Sequence, residues 1–89
     1  MKHIEVLILI ETVNGGVIAT PYEIPQKEPK RQRAIDLVEV RFAEIVREVS
    51  GEEISDSEMY DIIGDANYAY GDNCSVALHW DTVKFYGHG

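Results

Sequence analysis

The sequence predicts a small α+β fold, with two helices packed on one face of a three-stranded sheet in the order β-β-α-α-β. Three observations predict it. An alternating apolar stretch near the start runs into Asn14-Gly15-Gly16. Two central stretches carry apolar residues at helical spacing, with start and stop residues at their ends. A further alternating stretch, Cys74 to Tyr86, closes the fold.

The first strand is expected over Ile4 to Val13. Ile4, Val6, Ile8 and Ile10 share one face, and His3, Glu5, Leu7, Leu9 and Glu11 share the other. Apolar residues on both faces suggest an inner strand. Asn14-Gly15-Gly16 tolerates positive φ and marks a hairpin. The second strand starts at Val17. Pro21 and Pro25 lack amide donors, so a short edge strand is expected.

Pro29 suits the start of a first helix that runs to about Ser50 and stops at Gly51. Its apolar stripe is Ala34, Ile35, Val38, Phe42, Ile45, Val46 and Val49, with Leu37 and Val40 off the stripe. Ser55 and Glu58 form a capping-box pattern, so a second helix should begin near Asp56. Met59, Ile62, Ile63, Ala66, Ala69 and Tyr70 keep helical phase, which extends that helix to about Tyr70. In the last strand, Val76, Leu78 and Trp80 are out of phase with Val83 and Phe85. A bulge or turn at Asp81-Thr82 would account for this. With both helices on one face, Leu7 and Leu9 are expected on the far face, uncovered and available for a dimer contact. Trp80 and Tyr70 are expected in the core.

The chain has 89 residues, enough for one domain over 1–89, with 87–89 expected as a flexible tail. Its 45% apolar and 27% charged content is ordinary for a globular protein. The longest apolar run, Val6 to Ile10, has five residues, far short of the roughly 20 a membrane span requires. No signal-peptide pattern is read, and a single cysteine allows no internal disulfide. A cytoplasmic location is the expectation.

Charge is distributed unevenly. Nine carboxylates and no Lys or Arg lie between Glu48 and Val83, and the net charge is -8. This balance disfavours nucleic acid and anionic membranes and favours a basic partner. Glu58, Asp61 and Asp65 recur at helical spacing, so they form a row of neighbouring charges. Asp72 is expected to extend the row, with Tyr68 beside it, and Tyr60 and Tyr68 are the aromatic interface candidates. The helix dipole explains acids in the first turn, but not Asp61 and Asp65.

The basic residues Lys27, Lys30, Arg31 and Arg33 sit at the start of the first helix, where the dipole disfavours cations. Pairing with Glu28, Asp36 or the acidic helix is one account. An anion or self-association site at Lys30, Arg31 and Arg33 is another. Cys74 and His79, five apart in one strand, point to opposite faces and do not form a nucleophile-base pair. No zinc or calcium spacing, phosphate-binding loop or hydrolase elbow is present, so no metal, cofactor or enzymatic activity is expected.

The expectation is a non-enzymatic, acidic protein-binding module. Its concrete form is an inhibitor or regulator that covers the basic surface of a nucleic-acid-handling protein, as small acidic proteins of phages and mobile elements do. That parallel is one of size and charge. The alternative is a homodimeric accessory protein assembled through its apolar sheet face.

Overall fold

The computed structural model describes residues 2–85 and contains four strands and two helices. The expected tail at 87–89, including His88, and Tyr86 lie outside the described residues. In chain order the elements are β1 (Lys2–Val13), β2 (Gly16–Ile24), α1 (Lys30–Ser50), α2 (Asp56–Asp65), β3 (Asn67–Gly71) and β4 (Cys74–Phe85). The strands form one antiparallel sheet in the order β2-β1-β4-β3.

The first hairpin follows from its turn. Asn14 and Gly15 both have positive φ, at 49° and 88°, as a two-residue connection between twisted strands requires. β1 and β2 then pair without interruption from Val13↔Gly16 to Glu5↔Ile24. β2 is an edge strand, as Pro21 within it requires, but at nine residues it is longer than expected.

α1 forms where its stripe predicts. Val38, Phe42, Ala43, Ile45 and Val46 are its buried residues, and Gly51 ends it in the left-handed region at φ 67°. Leu37 and Val40 remain exposed. α2 starts at Asp56, where the Glu58 amide donates to the Ser55 hydroxyl at 3.2 Å. Arg47 near the end of α1 pairs with Asp56 at 3.6 Å and ties the two helices together.

Three expectations about the sheet are corrected. α2 ends at Asp65, not near Tyr70, because Ala66 takes a left-handed conformation and its amide caps the carbonyls of Ile62 and Ile63. Residues 67–71 become a fourth strand instead of the last helical turns, and the sheet is not three-stranded. The β1–β4 register is continuous from Lys2↔Phe85 to Val13↔Cys74, so no bulge occurs at Asp81-Thr82. The register shift lies in β3, between Ala69 and Gly71.

The third correction is the covered face. Leu7 and Leu9 are 2% exposed and lie beneath the helices. Leu9 packs with Phe42, Val46, Met59 and Val76, and Leu7 packs with Ile24 and Val38. They are core residues and form no dimer face. By strand alternation, Ile4, Val6, Ile8 and Ile10 occupy the opposite face, flanked by Ala19, Pro21, His79 and Asp81 across the ladder. No helix of the described residues covers that face. The two-layer build leaves a thin body of 50 × 32 × 16 Å. The radius of gyration is 14.8 Å, against roughly 12 Å for a rounder domain of this length.

Candidate functional site

α2 carries the acidic row. Glu58, Asp61 and Asp65 are all exposed, and Tyr60 between them is 80% exposed. Among the described residues, the ion pairs are Arg31–Glu5, Arg41–Glu44 and Arg47–Asp56, so none neutralises the row. The last turn of α2 contains no basic residue. Asp65 therefore sits at the negative end of the helix dipole, where an acid is unfavourable.

Two residues assigned to the row belong elsewhere. Tyr68 lies in β3, half-buried against the core that contains Leu9 and Phe42, and its ring stacks with that of Tyr70 at 6.3 Å. Asp72 lies in the β3–β4 turn, exposed and beyond the end of α2. Both displacements follow from the early end of the helix at Ala66.

The basic cluster is also divided. Arg31 turns inward to the sheet and bonds the Glu5 carboxylate. Its guanidinium also lies 5.6 Å from the centre of the Trp80 ring. Lys30 and Arg33 are exposed. Arg31 is thus tied to Glu5 within the fold, which removes the central member of the anion site expected at Lys30, Arg31 and Arg33. Cys74 and His79 lie on opposite faces of a regular β4, as expected, and the Cys74 sulfur lies 3.8 Å from the Asn14 amide oxygen.

Sequence reasoning missed one feature. Trp80 is not in the core; it is 46% exposed and borders a groove of about 520 Å³. Leu7 and Leu78 of the sheet, Ile35 and Glu39 of α1, and Tyr60 and Ile63 of α2 also line it. Gly64 of α2 also lines the groove. A Cβ built at Gly64 would meet no atom within 4 Å. Glu39 sits three residues after Asp36, off the main apolar stripe, and that placement was its only sequence signal.

Glu39 is partly buried on α1. Partial burial, and secondarily the neighbouring Asp36 carboxylate, raise its pKa above the ordinary carboxylate value. No ion pair reaches it among the described residues. The folded state therefore holds this proton more tightly than the unfolded chain does. The resulting penalty is absent below the ordinary carboxyl range and grows as pH rises through the raised value. Glu39→Gln is expected to raise the urea midpoint at pH 7 and to change it less at pH 4. An equal or negative change at pH 7 would contradict this account.

No helix of the described residues is long and apolar enough to cross a membrane. Nor do they contain a group of three or more His, Cys, Asp or Glu able to hold a metal. Fold and surface define a two-layer α+β protein in which Glu58, Asp61 and Asp65 of α2 have no ion-pair partner among the described residues, and α2 also borders an aromatic-edged groove. The chain matches no protein-family model, and no curated protein or solved structure was found to be similar to it.

Proposed function

We propose that this protein is a non-enzymatic binding module whose α2 surface docks on a basic protein. The observation that carries the reading is the exposed row Glu58, Asp61 and Asp65, which has no ion-pair partner among the described residues. Neighbouring carboxylates at this spacing present charge to Lys and Arg side chains much as a phosphate backbone does. Tyr60, an exposed ring on an adjoining flank of the same helix, adds the apolar contact that charge alone lacks. The finer reading is an inhibitor or regulator that competes with nucleic acid for its partner's Lys/Arg surface.

The immobilised protein, exposed to cell lysate at about 50 mM salt, should retain a basic nucleic-acid-binding protein. About 500 mM salt, or added duplex DNA or RNA, should release it. Retention that ignores both salt and nucleic acid sinks the reading.

A second reading, self-association, is favoured by the uncovered sheet face. Strands of 12, 9, 5 and 12 residues present roughly 600 Å² per copy on this face, the lower end of what a standard interface takes from each partner. Ile4, Val6, Ile8 and Ile10 would form its centre, packed against the same residues of a second copy in a two-fold arrangement. On this reading Ile8→Lys makes the protein monomeric by sedimentation equilibrium. A wild-type chain that is already monomeric at about 100 μM ends the proposal.

A further inference from the structure

We propose that the groove bordered by Trp80, Tyr60 and Glu39 receives a single arginine side chain of the basic partner. The proposal rests on the docking reading above and names one further contact with the same partner. The groove and the acidic row share α2, whose Tyr60 and Ile63 line the groove from a different flank of the helix than Glu58, Asp61 and Asp65. Its about 520 Å³ lies within the usual range of roughly 300–1,000 Å³ for ligand clefts. Leu7 and Leu78 give it an apolar floor.

The chemistry of the lining selects the occupant. An apolar floor accepts the methylene stem of a long side chain. Two aromatic rings at the mouth favour a planar cation above a neutral group. Glu39 lines this space and has no ion-pair partner among the described residues. Burial and Asp36 already disfavour its charge, and the opposite charge of an incoming cation would offset them.

Guanidinium fits better than ammonium. It is planar, weakly hydrated, able to stack on a ring and able to make two parallel bonds to a carboxylate. The fold already contains this combination next door. Arg31 lies against Trp80 and bonds Glu5 in an adjoining recess that the same Trp80 borders. The ring thus separates an internally filled guanidinium site from an open groove with its own carboxylate.

The test uses acetyl-arginine-methylamide as the probe, with acetyl-lysine-methylamide beside it. Trp80 is the only tryptophan, so its indole N–H gives one identifiable NMR signal. The arginine probe should shift that signal saturably, with half-saturation in the low-millimolar range (roughly 1–10 mM). Glu39→Gln should weaken binding about tenfold. Tyr60→Ser, at a fully accessible ring that folding does not need, should weaken it about threefold. The lysine probe should bind several-fold more weakly.

No saturable shift, or equal affinity in the wild type and both variants, overturns the site. Equal binding of the two probes overturns the guanidinium assignment. A hexa-arginine peptide separates this inference from the docking reading. If it binds through Asp61 and Asp65 while the indole signal stays still, the groove proposal fails and docking stands. If the arginine probe fills the groove but the peptide ignores reversal of those two acids, docking fails and the groove stands.

Discussion

Replacing Asp61 and Asp65 together by Lys is expected to remove binding to the basic partner while making the protein slightly more stable. The two changes move the net charge from -8 to -4, since each replaces -1 by +1. Two attractive contacts are lost and two repulsive ones appear. At about 0.5–1 kcal/mol each, they sum to roughly 2–4 kcal/mol, or about 30- to 1,000-fold in affinity. The effect should shrink as salt rises, because the charges are exposed.

The stability half of the expectation has its own cause. Asp61 and Asp65 are i,i+4 neighbours of like sign, and Asp65 ends a helix whose last turn has no base. Lys at position 65 meets the dipole favourably, a gain of about 0.3–1 kcal/mol. A surface acid at an unfavourable helix position is easier to understand as a binding residue than as a folding residue. Urea midpoints and partner affinity, measured on the same double variant, decide the matter. Retained affinity, or lost binding accompanied by unfolding, removes the argument.

Much of the fold was legible because several local signals agreed. The Asn14-Gly15 turn, the α1 stripe, Gly51 and the Ser55 cap all lie where sequence reasoning placed them. β3 was missed because Ala66, Ala69 and Tyr70 continue the helical phase of Met59 and Ile62, while Tyr68 and Tyr70 also alternate. Two periods fit the same five residues, and the deciding left-handed turn falls on Ala66, a residue type that rarely marks one. Helical phase placed Tyr68 with the acids, whereas strand phase places it against the core.

The covered face of β1 was misassigned because both of its faces are apolar at the centre. The turn itself contained the answer. A two-residue connection at 14–15 places Leu7 opposite Tyr22 and Ile8 opposite Pro21. Tyr22 and Ile24 alternate with Pro21, Glu23 and Pro25, so the bulky side of β2 marks the side that faces the helices. The groove was less accessible. It depends on where α2 crosses the sheet, and no spacing within α1 or β4 encodes that position.

The two surfaces are compatible. Sheet-to-sheet pairing through Ile4, Val6, Ile8 and Ile10 would place α1 and α2 of each copy on the outside, with both acidic rows and both grooves accessible. Such a pair would engage a basic partner twice, and linked sites strengthen binding without any new contact. Ile8→Lys would then weaken capture by a partner with two basic sites while leaving the single-arginine titration unchanged. That joins the two readings in one experiment.

Phe42→Ala is expected to have the largest effect on the fold itself. Phe42 is 0% exposed at the centre of α1 and packs in the cluster that contains Leu9, Val46, Met59 and Val76. This cluster joins both helices to both central strands, so a cavity there is felt by the whole domain. Removing a buried Phe side chain typically costs about 3–5 kcal/mol. An 89-residue domain has a total stability of roughly 4–13 kcal/mol. A body only 16 Å thick has a single helix-sheet layer and little second core to compensate. The variant should therefore lose roughly a quarter or more of its stability, and at the lower end of that range it should be largely unfolded at 25 °C. Trp80 is distant enough in sequence and exposed enough to report the transition by fluorescence in urea. Phe42→Leu, which leaves a smaller void, should lose clearly less. A loss below about 1.5 kcal/mol for Phe42→Ala, or equal losses for the two variants, would mean that α1 is not held to the sheet through this residue.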